Sequence, residues 1–429
     1  MPAPQPQFAL VDVNNFFVSC ERTFRADLEN TPLVVLSNND GCAIARSKEA
    51  KEMGVRMGTP WFKLQPTARK RGLLAFSSNY ALYGDMSQRV VRLLRDFAPD
   101  LEVYSIDECF LRIESVAHRY GGASALGRAI RERIRQWLGL PVCVGIGPTK
   151  TLAKFANHLA KKNGVFDGVC DLYTLSRPER KQWMSRLDAG EVWGVGRRIA
   201  RRLDELGIHT VLDLREASPQ EIRGHFGVVM ERTCQELRGI SCLELEDISP
   251  PKQQIMVSRS FGCPVRTLKD LREAVATFTA RAAEKLRQQA GVAAAIHVFI
   301  RTDRFREDEP QYTPGIVVPL ADGTDNTLAL LEAAFSGLCA IYREGFRYKK
   351  AGVMLTLISD KTRQPTLFGD TASIEKSKRL MLAMDAINRE FGRDTLRSAA
   401  SGIEHRWATK AEMRSPRYTT RWDELPGVS

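Results

Sequence analysis

The chain opens on short, unbroken apolar runs. Phe8–Val13 reads FALVDV, apolar except for Asp12, as a strand covered on both faces does. A carboxylate in such a run has to be compensated, which makes Asp12 a candidate for chemistry. Leu33–Leu36 predicts a second strand, closed by the turn formers Asn38, Asn39, Asp40 and Gly41, and helical spacing resumes at about Ser47–Met53. Leu101–Ile106 and Cys109–Ile113 predict two strands that abut at Asp107 and Glu108. A helix over about Ala125–Trp137, the strand PVCVGIG and a basic helix over Lys150–Lys161 complete the run. Strand, helix, strand, strand, helix, strand is the order of a ferredoxin-like unit, here with a helical insertion between Leu36 and Leu101.

After Leu175 the chain turns helical and Arg-rich to about Leu245, which predicts a separate small helical domain. Beyond Pro250 and Pro251 the first order repeats: strand IMVSRSFG, a helix over Leu268–Gln289, strands AAIHVFIRT and GIVVPL, a helix over Asn326–Tyr342 and strand AGVMLTLI. The pattern then weakens into a tail with one amphipathic helix at about Glu375–Phe391 and the end SPRYTTRW.

Charge is the compositional anomaly: 63 Lys and Arg against 51 Asp and Glu leave +12 on 429 residues. An acidic partner is expected, nucleic acid first and an anionic membrane surface second. No apolar run approaches the roughly 20 residues that span a bilayer, and the opening MPAPQPQ lacks the features of a secretory signal. Nine scattered cysteines without a C-x-x-C pair and six dispersed histidines indicate reduced thiols, a cytosolic setting and no zinc site.

Nucleotidyl transfer requires charge to be neutralised on the attacking and leaving oxygens, which two Mg2+ ions held by clustered carboxylates can do. Asp12, Asp107 and Glu108 are the candidates. Adjacent strand residues point to opposite faces, so Asp107 and Glu108 can share a site only if the chain bends beside them, as a hairpin junction allows. By residue type alone, Asp12 could equally cap an edge strand and Asp107 and Glu108 could form a polar turn.

The surrounding text narrows the choice. Asp12-Val13-Asn14-Asn15-Phe16-Phe17 and Ser105-Ile106-Asp107-Glu108 resemble the two metal-site motifs of Y-family translesion DNA polymerases. LSNNDGCAIAR, FSSNYALYGDMS, EVWGVGRRIARRL and SPRYTTR, in that order, resemble the UmuC type over nearly the whole chain. The resemblance implies an α+β multidomain right hand. Its parts would be a ferredoxin-like palm (1–36 and 75–174), small fingers (37–74), a helical helix-hairpin-helix thumb (175–246), a βαββαβ little finger (252–360) and a C-terminal tail (361–429). It implies error-prone, DNA-directed synthesis in the SOS response. The metal ligands would be Asp12, Asp107, Glu108 and the Val13 carbonyl. Phe17 would be the steric gate that rejects a ribose 2′-hydroxyl, where many relatives carry Tyr. Asn15 and Phe16 amides would hold the triphosphate, together with Lys51 and Lys161; Lys48 and Lys51 stand where other branches have Tyr and Arg. Implied partners are a DNA primer-template, deoxynucleoside triphosphates, a dimer of processed UmuD, a RecA filament and the sliding clamp. A non-catalytic DNA-binding scaffold of the same fold and a stand-alone enzyme of the DNA polymerase IV type are the alternatives.

Two further signals concern DNA. In WGVGRRIARRLDELGI, Gly194 and Gly196 would let amides approach a phosphate ahead of Arg197, Arg198 and Arg201. In AAIHVFIRTDR, alternation puts Ile296, Val298 and Ile300 on one face and His297, Phe299 and Arg301 on the other, a face that Arg259, Arg304 or Lys350 would join on a DNA backbone. Gln364, Leu367 and Phe368 resemble a clamp-docking pentapeptide. Gly145, Gly147 and Lys150 imitate a P-loop, but no glycine precedes Lys150 and Pro148 removes an amide. The SPRYTTRW end serves partner subunits or folds back onto the chain.

Overall fold

The computed structural model describes residues 6–246, 251–360, 371–425 and 427. Its first strands are β1 (Phe8–Val13), β2 (Leu33–Leu36), β3 (Ala43–Arg46), β4 (Leu74–Ser77), β5 (Leu101–Val103), β6 (Glu108–Arg112), β7 (Val142–Gly147) and β8 (Val169–Asp171). One sheet has the order β5-β6-β1-β7-β8. β1 runs antiparallel to β6 and β7, β5 antiparallel to β6, and β8 parallel to β7. Without β8 this is the ferredoxin-like arrangement that the order of elements predicts.

Period-two alternation assigns the two faces of β1. Ala9, Val11 and Val13 join Leu82, Met86, Leu94, Leu126, Ile130 and Ile134 from the helices Tyr80–Phe97 and Ala123–Leu138 in one core. Phe8 and Leu10 pack with Phe110 and Ala153 on the opposite face, where the helix Lys150–Lys162 lies. That helix rests directly on β7. A Cβ at Gly145 would stand 2.1 Å from the Asn157 nitrogen and 2.3 Å from the Ala153 oxygen. Asn157 then donates to the carbonyls of Cys143 (2.9 Å) and Leu10 (3.3 Å), tying the helix across both central strands.

The insertion departs from its expected form. β2 leaves the large sheet and pairs antiparallel with β3 and parallel with β4, making a three-stranded sheet. β3 and β4 are four residues each and half-buried in part, too short to show a period in the sequence. The expected palm boundaries at 36 and 74 therefore cut along a sheet that belongs with the insertion. The crossover into β5 is the helix Tyr80–Phe97.

Five helices follow: Arg177–Ser185, Arg197–Glu205, Val211–Glu216, Pro219–Phe226 and Val228–Leu237. Ser176 with Glu179, and Thr210 with Asp213, form capping boxes that fix where two of them start. Lys150 is 4% exposed, pairs with Glu102 and donates to the Glu244 carbonyl at 2.6 Å, so it anchors the returning chain and is no P-loop lysine.

By its contacts the chain separates into two units, Met1–Ser37 with Gly41–Ser249 and Met413–Ser429, and Asn38–Asp40 with Pro250–Glu412. The second contains β9 (Ile255–Val265), β10 (Gly291–Thr302), β11 (Gly315–Thr324) and β12 (Tyr348–Asp360), with helices Leu268–Gln288 and Thr327–Ile341 on one face. Its sheet order is β11-β10-β12-β9, all antiparallel. The linear order repeats that of the first unit, but the strand order does not. The helix Thr371–Glu390 docks on this unit through Asp385, which binds Arg287 at 2.6 and 2.7 Å. Gln364, Leu367 and Phe368 lie outside the described residues.

Candidate active site

The register of the first sheet builds the site. Asp12 is directly opposite Glu108, and the Val13 N–H donates to the Asp107 carbonyl at 2.9 Å. Asp12 follows Leu10, and Glu108 precedes Phe110, by two residues, so both carboxylates face the Lys150–Lys162 helix. Asp107 precedes β6 in the turn that permits the bend, with the Ser105 hydroxyl donating to its Oδ1 at 2.6 Å.

Two lysines one helical face apart meet these acids. Lys161 pairs with Asp12, and Lys154 binds both Glu108 oxygens at 2.9 and 3.0 Å. Lys154 escaped the sequence reading, although its spacing from Lys161 on one helix was the available signal. Its ammonium also stands 4.4 Å from the Tyr104 ring and 5.2 Å from Trp193, whose indole N–H donates to the Tyr104 hydroxyl at 3.0 Å. Asp12 is 7% exposed, and burial pushes its pKa up to about 6 against the pull of Lys161, with Glu108 and Asp107 adding to the rise. A cleft of about 250 Å3 is lined by Asp12, Glu108, Lys154, His158, Lys161 and Trp193, among others.

Among the described residues, no three Asp, Glu, His or Cys side chains converge as a finished metal cage. Ammonium groups hold Asp12 and Glu108 instead, and the Ser105 hydroxyl holds Asp107. Such a site already attracts cations, and its all-oxygen donors suit a hard divalent ion that keeps its remaining ligands from water and phosphate.

Next to the acids, Asn15 adopts φ 49° and ψ 42° as it caps the helix Phe16–Thr23. Lys51 donates to Asn15 Oδ1 at 2.6 Å. Burial lowers the pKa of Lys51, and Arg46 and Lys161 lower it further, so three cations share this corner. Arg46 was not singled out by the sequence. Lys48 is not brought in; it is exposed and stands 3.9 Å from Glu52 on its own helix. Phe16 is buried in the core, whereas Phe17 is half-buried and stacks on Tyr83, with centroids 4.6 Å apart.

Gly194 has φ +89°, Gly196 caps the helix Arg197–Glu205, and Arg197, Arg198 and Arg201 are exposed. Arg202 is engaged elsewhere, donating to the His225 carbonyl at 2.7 Å. On the second sheet Arg301 lies opposite Lys350, and Lys350 opposite Ser260. Arg259 departs from expectation. It aligns with Ala351 and, through it, with Ile300, which places it on the helix-covered side and not beside Arg301. Arg304 lies just past β10, its guanidinium 4.8 Å from the exposed Phe305 ring.

Known proteins resemble this chain in sequence and in fold. The impB/mucB/samB family matches residues 11–158 and its C-terminal domain residues 252–367. Protein UmuC of Salmonella typhimurium (strain LT2) is 47% identical over 420 residues, 97% of this chain and 99% of its own. The chain belongs to the UmuC-type Y-family polymerases. MucB of Escherichia coli is 44% identical over 98% of this chain and 99% of its own, whereas a DNA polymerase IV of Moorella thermoacetica reaches 28% over 91% and 95%. A solved Y-family DNA polymerase chimera superposes with a TM-score of 0.63 at 24% identity, covering 82% of this chain and 99% of that one. That likeness carries the fold: palm, fingers, helical thumb and little finger. A domain of unknown function (DUF4113) matches residues 378–428. As a UmuC-type polymerase, the chain performs error-prone, DNA-directed DNA synthesis past damage.

Proposed function

We propose that Asp12, Asp107, Glu108 and the Val13 carbonyl hold two Mg2+ ions in this polymerase. When bound, these ions would activate the primer 3′-hydroxyl and neutralise the charge gathering on the leaving pyrophosphate. Asp12 facing Glu108 across two central strands, with Asp107 beside them, is the observation that carries the reading. Sheet hydrogen bonding holds the strands, so the acids are positioned before any substrate arrives.

The chain's own residues supply the rest. Lys51, Lys161 and the helix start at Asn15 and Phe16 would bind the triphosphate of the incoming deoxynucleotide. Lys154 would give up its hold on the Glu108 oxygens to a bound cation, while the Tyr104 and Trp193 rings would keep its ammonium near the site. Phe17 would present an apolar wall to the sugar edge. Gly194, Gly196, Arg197, Arg198 and Arg201 would grip phosphates of the primer-template without reading its sequence, as would Arg301 and Lys350 from the little finger, with Arg304 at the strand end.

Lesion bypass with a dimer of processed UmuD, a RecA filament and the sliding clamp, at the nucleoid in the cytoplasm, follows from the UmuC type and is part of the same proposal. The clamp residues would be Gln364, Leu367 and Phe368. Primer extension across an abasic site, with the UmuD partner and RecA supplied, tests it: Asp107→Ala should abolish extension, and extension equal to wild type would refute the metal site. A scaffold without catalysis has no use for two carboxylates facing across the central strands with a third in the adjoining turn.

A further inference from the structure

The tail ends inside the first unit, close to Phe17. The hydroxyl of Tyr83, which stacks on Phe17 with planes 19° from parallel, donates to Glu21 Oε1 at 2.6 Å. Ser415 donates to the same oxygen at 3.0 Å. Phe17 and Glu21 are one turn apart on the helix Phe16–Thr23, so Tyr83 holds that helix at both positions. Ser415 is fixed in turn. Asn79, which caps the Tyr80–Phe97 helix, directs its amide to Ser415 Oγ (2.9 Å), the Ser415 carbonyl (3.0 Å) and the Pro416 carbonyl (3.0 Å). Ser77 and Met413 exchange hydrogen bonds on one side, and Tyr418 stacks on Phe24 at 4.8 Å on the other.

Glu21, Asn79, Tyr83 and Ser415 are at most 5% exposed. Filling space behind Phe17 would take only an apolar residue. A buried polar network instead specifies a single geometry, at a cost in desolvation. Glu21 Oε2 is buried without a partner, so that cost has not been fully relieved. The segment that imposes the geometry comes from more than 330 positions away in the chain.

We propose that Met413–Pro416 is an internal brace that fixes the Phe17 ring through Ser415, Glu21 and Tyr83, making these three positioning residues for rejection of the ribose 2′-hydroxyl. The idea deepens the reading of Phe17 as the sugar gate and rests on it. A brace that holds the ring against rotation sharpens a steric wall; without it the ring yields to a hydroxyl.

The test measures kcat and KM for one deoxynucleotide and the matching ribonucleotide on the full-length protein, with melting temperatures alongside. The variants are Phe17→Ala, Tyr83→Phe, Ser415→Ala and Arg417→Ala. Tyr83→Phe keeps the stacked ring and removes only the hydroxyl. Arg417 pairs with Glu424 within the tail at 2.9 Å, so its variant weakens the tail without touching Glu21. Tyr83→Phe and Ser415→Ala should each raise relative ribonucleotide use roughly three- to tenfold, mainly through KM, with deoxynucleotide kcat/KM within about twofold of wild type. Arg417→Ala should lower the melting temperature and leave the ratio unchanged. If Phe17→Ala relaxes selectivity while Tyr83→Phe and Ser415→Ala do not, the gate stands and the brace is refuted. If the ratio follows melting temperature in every tail variant, including Arg417→Ala, the network is only structural and the brace is likewise refuted. If Phe17→Ala leaves the ratio at its wild-type value, the gate reading itself falls.

Discussion

The palm and the little finger use one linear order of elements, βαββαβ, and assemble it differently. In the palm the first and third strands, β1 and β6, lie side by side at the centre; in the little finger the second and fourth, β10 and β12, do. Both arrangements keep every pair among the four core strands antiparallel and cover one face with the two crossover helices. Adjacency, however, decides which residues meet. The palm brings Asp12 to Glu108, and the little finger brings Arg301 to Lys350. The same succession of elements thus gives an acidic pair in one domain and a basic pair in the other, the positions proposed above for cations and for phosphates.

The largest effect separates the two by chemistry. Asp107→Ala should cut primer extension on the order of a thousandfold or more, while binding of the primer-template in a gel-shift assay changes little. Arg301→Ala with Lys350→Ala should do the reverse. Next come two glycines on which the sheets depend. At Gly145 a new Cβ would meet helix backbone alone, at 2.1 and 2.3 Å; at Gly352 it would meet the tip of the Phe299 ring, which can tilt away, and Ser258 Cβ, which moves only with its edge-strand backbone, each at 2.4 Å. Gly145→Ala is expected to cost more than about 3 kcal/mol and Gly352→Ala about 1–3 kcal/mol, read as denaturant midpoints. An inverted order would show that the palm helix yields at Gly145 more readily than its backbone contacts imply.

The phosphate contacts give a smaller, graded signature. Each of Arg301→Ala and Lys350→Ala should reduce the slope of log affinity against log salt by about 0.9, measured by fluorescence anisotropy. Arg259→Ala, on the helix side, should leave that slope unchanged. The smallest effect concerns pH. Burial holds the Glu21 carboxyl above its ordinary value, opposed by hydrogen bonds from Tyr83 and Ser415 and by Arg25; Tyr418 and Cys20 also face it. The folded state therefore keeps this proton after the unfolded chain has released its own, and stability falls as pH rises above the unfolded value of 4.5 toward the folded one. Glu21→Gln cannot ionise and should remove that decline. Relative to wild type, its melting temperature should be higher at pH 8 than at pH 5, and a constant difference would contradict the raised value.

Much of this was readable along the chain. Asp12 stood out because an acid interrupted an otherwise apolar run, and Asp107 and Glu108 because they separated two such runs. Alternation in AAIHVFIRT assigned Ile296, Val298 and Ile300 to the core correctly, since a sheet with one covered face imposes period two. Arg259 was misplaced because facing depends on register with β12, which no local pattern in IMVSRSFG reveals. β3 and β4 escaped because four residues do not establish a period. Lys154 went unnoticed because one more lysine in a basic helix is unremarkable until its ammonium is seen on Glu108.

By itself the sequence determined the longer elements, the candidate acids and the polymerase family, because periodicity, turn residues and motif text are local properties. Only the tertiary structure decided which strands are neighbours, which lysines guard which carboxylates, and where the tail ends. Strand adjacency, buried ion pairs and the contact between Ser415 and Glu21 depend on long-range closure of the chain, whose energetic balance is settled by packing and desolvation over the whole unit.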